Sequence, residues 1–177
     1  MARQKIEHDR LVSRGARWLT RSHDGTSQAF SMPSFRSPLE FDPCYIGSCG
    51  VILTEYVCYL DNIPDAIGFA SNFSIVIECK TSRNDFAKDK YKSHRHRDKQ
   101  PGNFRFYLVP QGLIKPEEAP EGWGLLYDSG KQIKAVKPAP WHDEVEIRAA
   151  EYSILYSVTR RFSIRGLMKE IRKPLND

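Results

Sequence analysis

Residues 73 to 80 read FSIVIECK, a β-branched run that ends on a carboxylate and an ammonium group one residue apart. Strand composition of this kind suits a pleated, packed surface. Side chains alternate across a strand, so Ser74, Val76, Glu78 and Lys80 share one face while Ile75, Ile77 and Cys79 share the other. The second face is apolar throughout and belongs to a core. The first turns polar as the strand finishes, which sets Glu78 and Lys80 side by side at the rim of a sheet. Taken alone the pair reads as a surface salt bridge, because the tripeptide E-x-K is common by chance. Its neighbours decide against that reading.

Two further strand candidates precede it, at 50–60 (GVILTEYVCYL) and 65–70 (DAIGFA), with short separations that predict an antiparallel meander. Asp65 follows Pro64 and opens the middle strand on the same parity as Ile67 and Phe69. A short turn brings the start of that strand beside the end of the next, so Asp65 is expected to converge on Glu78 and Lys80. Glu55, at the centre of the first run, adds a further carboxylate. Carboxylates gathered at a sheet edge suit a hard divalent cation such as Mg²⁺, bound through oxygen with water in the remaining positions. Such an ion polarises a phosphoryl oxygen and acidifies a bound water. A neighbouring lysine orients that water or offsets transition-state charge. The substrate this chemistry fits is a phosphodiester.

Beyond the meander, residues 82–98 predict a highly charged helix. Ser82 and Asp85 form an S-x-x-D capping box at its start. Between Ser82 and Gln100 there are seven Lys or Arg against three Asp, although the whole chain carries only +5. Arg83, Lys88, Lys90, Lys92, Arg95, Arg97 and Lys99 are too dense for a merely solvated face and suit phosphate contacts, together with Arg105 further on. His94 and His96 are two apart, point to opposite sides of a helix and do not chelate one ion. A fourth strand (FRFYLVP) follows the loop at 100–103. Segments 123–128 and 131–137 predict a hairpin through Asp128-Ser129-Gly130, and a last helix is expected over 142–158. At the other end, residues 3–21 predict a helix with Ile6, Leu11, Val12, Trp18 and Leu19 near one stripe. Residues 22–47 lack a period and hold three prolines, an irregular segment whose phenylalanines at 30, 35 and 41 argue for docking.

The order helix, three strands, helix, strand, with a hairpin and helix added, predicts an α/β (α+β) fold around a central mixed sheet, in one domain over 1–177. At 40% hydrophobic and 28% charged residues the chain is long enough to bury a core unaided. Cys44 and Cys49, with Cys58 or His23, match no common zinc-finger spacing, and four cysteines are expected to be reduced thiols. No apolar run approaches a membrane span and MARQKIEHDR lacks the apolar segment of a signal peptide, so the expected setting is cytoplasmic.

Pro64-Asp65, then Glu78-Cys79-Lys80 thirteen residues after the aspartate, resembles the PD-(D/E)XK signature of the restriction-endonuclease-like nucleases. Ser82-Arg83-x-Asp85-Phe86, Arg105-Phe106-Tyr107 and Gly122-Trp123-Gly124-Leu125 are similar to small stand-alone bacterial and phage members of that superfamily, some linked to DNA repair and related to VRR-type nucleases. The resemblance covers about residues 50–137 and implies the restriction-endonuclease-like core, a Mg²⁺ cofactor (Mn²⁺ as a substitute) and hydrolysis of DNA, more than RNA, to a 5′-phosphate. Carried over by position, it implies that Asp65, Glu78 and the carbonyl of Cys79 ligate the metal and that Lys80 serves the water. Glu55 is then an outer ligand or base, with Ser82 and Asp85 in support. The competing reading is a non-catalytic nucleic-acid-binding or protein-interaction module on the same fold. Ile147, Tyr152, Leu155, Tyr156 and Val158 of the last helix would on that reading offer a partner surface, whereas apolar helix faces ordinarily pack on the sheet or make a homodimer.

Overall fold

The computed structural model describes residues 2–21, 23–24, 29–31, 45–46, 48–58, 63–92, 100–143 and 145–168. Helix α1 (Ala2–Leu19) precedes three two-residue strands, β1 (His23–Asp24), β2 (Phe30–Ser31) and β3 (Tyr45–Ile46). Strands β4 (Val51–Thr54), β5 (Ala66–Phe69) and β6 (Ser74–Cys79) lead into helix α2 (Arg83–Lys92). Then come β7 (Phe104–Pro110), β8 (Gly124–Asp128), β9 (Ile133–Lys137), β10 (Ala139–Pro140) and helix α3 (Val145–Ile164). The architecture is α+β, built on a mixed six-stranded sheet in the order β4-β5-β6-β7-β8-β9.

The meander is antiparallel from β4 to β6, as the short separations predict. Passage through α2 then returns the chain parallel to β6, which places β7 beside it. The β8–β9 hairpin is part of the same sheet, because β8 runs parallel to β7 across the connection at 111–123. A central strand with parallel and antiparallel neighbours is covered on both faces, and β6 is buried at every residue. On one face α1 supplies Leu11, Val12, Trp18 and Leu19 against Ile75, Ile77, Phe106 and Leu108. On the other, Phe86 of α2, Ile114 and Trp123 of the 111–123 connection and Ile154 of α3 pack on Ile67, Val76, Tyr107 and Leu125. The face carrying Glu78 and Lys80 is therefore roofed as well, and the two are only 7% and 8% exposed. They end a strand, but they are buried.

Two boundaries differ from the sequence expectation for local reasons. The first strand stops at Thr54 because Glu55 takes φ +45°, a left-handed conformation that breaks the pleat. The last helix runs past 158 to Ile164, where Gly166 (φ +72°) closes it. There the Leu167 N–H donates to the Phe162 carbonyl at 2.9 Å and the Gly166 N–H to that of Ser163 at 3.1 Å, a Schellman end. Helix α2 is described only as far as Lys92, so His94, Arg95, His96, Arg97 and Lys99 lie outside the described residues.

Phe30 from the irregular segment packs between Trp18, Phe104 and Phe106, while Phe35 and Phe41 lie outside the described residues. The apolar stripe expected on α3 divides: Ile147 is buried, whereas Tyr152, Leu155 and Tyr156 are exposed. Instead α3 is tied down by Glu151, whose carboxylate accepts from the Ser74 hydroxyl and, at 3.0 Å, from the Gly102 N–H. Among the described residues, no helix is long and apolar enough to cross a membrane.

Gly124 marks the tightest approach in the sheet. A Cβ there would lie 2.5 Å from the Phe106 ring and 2.7 Å from the Ala139 nitrogen. Replacing it with alanine overpacks the junction of β7, β8 and β10. Gly124→Ala is expected to cost about 1–3 kcal/mol, read as a lowered urea midpoint at unchanged m-value.

Candidate metal centre

The antiparallel register pairs Ala66 with Ile77, which puts Asp65 opposite Glu78 and Pro64 opposite Cys79. Proline has no N–H to give a ladder, and the pairing ends there. The Cys79 N–H is taken instead by the Asp65 carboxylate, Oδ2 accepting at 2.6 Å. In an antiparallel ladder a residue's N–H and C=O face the same neighbouring strand, so the Cys79 carbonyl is turned toward the strand that carries Asp65. The Glu55 N–H donates to the Asp65 carbonyl at 3.0 Å, and Glu78 is in register with Tyr107. Glu55 and Asp65, just outside β4 and β5, thus stand level with Glu78 of β6 and Tyr107 of β7.

Lys80 Nζ lies 3.5 Å from Glu78 Oε2 and 3.4 Å from Asp89 Oδ1 of α2. Asp89 in turn accepts a 2.9 Å hydrogen bond from the buried Tyr107 hydroxyl. On its far side, Asp65 Oδ1 is 3.4 Å from His8 Nε2 of α1. The electrostatics follow from burial. Desolvation, with the Asp65 charge second, pushes the Glu78 carboxyl up to about 8 against the opposing pull of Lys80. Desolvation works to lower Lys80, but Glu78, Asp89 and Asp65 together outweigh it and hold the amine above its ordinary value. In the metal-free protein this favours the ammonium form of Lys80, a positive charge and hydrogen-bond donor.

A buried carboxyl whose proton affinity is raised by desolvation and by a second carboxylate is a fit for a hard divalent cation, because the cation relieves the same repulsion that the proton does. Asp65, Glu78 and the Cys79 carbonyl would hold it. Glu55 is drawn to the other side of Asp65, where its carboxylate, His8 and Asp9 offer ligand atoms within 4.8 Å of one another. It stands just past the end of β4, not at the centre of a strand.

The supporting and basic residues divide. The Ser82 hydroxyl accepts the Asp85 N–H at 3.2 Å and caps α2, while the Asp85 carboxylate adds to the negative field on Lys80. Lys88 is exposed on α2. The side chains of Lys90 and Lys92 lie outside the described residues, as do Arg95, Arg97 and Lys99. Arg83 is exposed but committed to Glu118, with a further 3.0 Å bond to the Leu113 carbonyl. Arg105 departs from the expectation of a backbone-steering residue. It is 6% exposed, and its guanidinium donates to the carbonyls of Gln100 and Pro101 at 2.9 and 3.2 Å. Strand parity puts it on the Glu78 face, and the loop entering β7 covers it. Its work is to hold that loop, and with it Gln100, which lines a small cavity with Glu78, Pro64 and Trp123.

Sequence reasoning missed His8, Asp89 and Tyr107. Asp89 sits one helical turn after Asp85, a detectable spacing. The other two are joined to the centre only by tertiary packing. Of the cysteines weighed for zinc, Cys49 is buried, with its thiol pushed up to about 12 by desolvation. Cys44 lies outside the described residues.

No family model matches this chain, and no curated protein is significantly similar to it. Among solved structures, a protein of unknown function from Silicibacter pomeroyi is similar at 22% identity, over 72% of this chain and 85% of that one, with a TM-score of 0.48.

The raised Glu78 carboxyl has a measurable consequence in metal-free protein. Between the ordinary carboxylate range and about 8, the folded state binds a proton there that the unfolded chain has released. Stability therefore falls as pH rises through that window. Urea midpoints taken at several pH values should show this slope in the wild type, and Glu78→Gln should flatten it.

Proposed function

We propose that the protein is a Mg²⁺-dependent nuclease of the restriction-endonuclease-like type, hydrolysing phosphodiester bonds in DNA. The observation that carries this reading is the placing of Asp65 one step beyond the Ala66–Ile77 pair, its carboxylate accepting from the Cys79 N–H at 2.6 Å, with the Lys80 amine 3.5 Å from the Glu78 carboxylate at the end of the same strand. When bound, a divalent cation there would polarise a phosphoryl oxygen and acidify a water. Asp65 and Glu78 would bring the negative charge that holds it, and the Cys79 carbonyl would complete the protein's share of ligands. Lys80, as an ammonium group, would orient the attacking water and offset charge on the pentacovalent transition state. Asp89 holds the ammonium from the side away from Glu78, and the Tyr107 hydroxyl steadies Asp89. The sequence resemblance supports the same assignment, and Lys88 with the basic stretch after it supports a polyanionic substrate.

The test is a panel of labelled duplex, branched and single-stranded DNA and RNA, incubated with Mg²⁺ or Mn²⁺. Wild type should cut at least one DNA form, and chelation should abolish the activity. Asp65→Ala and Lys80→Ala should each lower the rate by about two to three orders of magnitude, while anisotropy shows binding by Lys80→Ala within about twofold of wild type. Binding without cleavage of any form by wild type would instead favour the non-catalytic module.

A further inference from the structure

Helix α1 contributes His8 to the acidic centre, but its most regular feature is elsewhere. Arg10, Arg14, Arg17 and Arg21 recur at intervals of four, three and four residues, which places them along one face of the helix and its C-terminal turn. That face is not the one that packs on the sheet through Leu11, Val12, Trp18 and Leu19. It looks sideways, toward the edge strand β9, and the gap between them is a cavity of about 70 Å³. Arg14, Arg17 and Arg21 line it from α1, Lys131, Gln132 and Ile133 from the β8–β9 hairpin, and Trp18 from the core side.

The lining holds four cationic side chains and no carboxylate. The acid beside it, the buried Asp128, is ion-paired with Arg14 at 2.7 Å and Arg10 at 3.5 Å, although its Oδ2 has no hydrogen-bond partner. That leaves Arg17, Arg21 and Lys131 without an ion-pair partner among the described residues, and Arg14 Nε buried without a hydrogen-bond acceptor. The helix dipole accounts for arginines near the end of α1, and Arg17 Nε reaches the Ser13 carbonyl at 3.4 Å. It does not account for a lysine arriving at the same cavity from a hairpin. Like charges brought together by two separate elements are stabilised by an anion between them, and guanidinium forks select oxyanions with several acceptor oxygens.

We propose that this cavity is a phosphoryl-binding site, separate from the acidic centre. Three uncompensated cations suit a phosphate dianion or a phosphodiester flanked by its neighbours better than a single carboxylate. Arg17 is about 14 Å along the helix axis from His8 at about 1.5 Å per residue, so both sites can lie on one extended polyanion. The site itself stands on its own charges. Only its assignment to the nucleic-acid backbone rests on the nuclease reading.

The test combines Arg17→Ala, Arg21→Ala and Lys131→Ala in one chain, with Lys131→Glu alone as the lesser perturbation. All three positions are exposed, so both variants should melt like wild type. Inorganic phosphate, followed by calorimetry and by the arginine side-chain N–H resonances, should bind wild type and bind the triple variant at least about tenfold more weakly. Duplex oligonucleotide binding, followed across a salt series, distinguishes the source. A slope shallower by about 0.9 per lost contact assigns the site to the nucleic-acid backbone. An unchanged slope with phosphate binding lost assigns it to a small phosphorylated ligand. Phosphate and oligonucleotide that bind all forms equally, or do not bind at all, overturn the proposal. Lys80→Ala should keep phosphate binding intact, so failure of the acidic centre as a nuclease and failure of this site are read separately.

Discussion

Everything at the acidic centre depends on burying charge at the end of a strand that has no exposed face. Glu78 and Lys80 are more than nine-tenths covered, and an ion pair in that position usually recovers less than its desolvation costs. Two well-packed apolar side chains would serve stability better. What offsets the cost here is a chain of polar contacts in which each member answers the next: His8 to Asp65, Asp65 to the Cys79 N–H, Glu78 to Lys80, Lys80 to Asp89 and Asp89 to Tyr107. The chain draws on both helices that flank β6, one from each side of the sheet. Folding and assembly of the centre are thereby the same event.

The element order was legible because it rests on periodicity and on short connections. Alternation in SIVIEC and the brief gap after DAIGFA specify an antiparallel pair, and a charged helical segment before FRFYLVP specifies a return crossover. What was not legible depended on single backbone conformations. Glu55 ends its strand by a left-handed φ that composition does not reveal, since a carboxylate carries no general preference for it. Gly166 does carry such a signal, but the basic run at 159–162 obscured it. A helix end complements arginine through its dipole, so that run was compatible with six further residues of helix.

The site was half legible, and the division is physical. Asp65, Glu78 and Lys80 were found because strand parity and antiparallel register are arithmetic on the sequence. Pro64 helps, since a residue without an N–H marks where the ladder must stop and a side chain must take over. His8 and Tyr107 belong to an amphipathic helix and a core strand, and nothing in their local spacing separates them from ordinary packing residues. Arg105 failed in the opposite direction. Basic residues next to a basic stretch look like phosphate contacts, yet parity on β7 places this one on the buried Glu78 face. The same arithmetic that located the carboxylates would have located it, had it been applied.

Helix α1 ties these observations together through its three unlike faces. One packs on the sheet, with His8 near its N-terminal end meeting Asp65. A second presents Asp9 toward Glu55 at the β4 side. The third carries the arginines toward β9. A helix whose only task was to cover the sheet would need the first alone. The acids are drawn to the β4 edge and the bases to the β9 edge, so α1 separates charge across the width of the sheet. On the nuclease reading proposed above, a divalent cation at the acidic end would offset the repulsion that an approaching polyanion meets there, so the two would bind with positive coupling carried by the charge distribution alone.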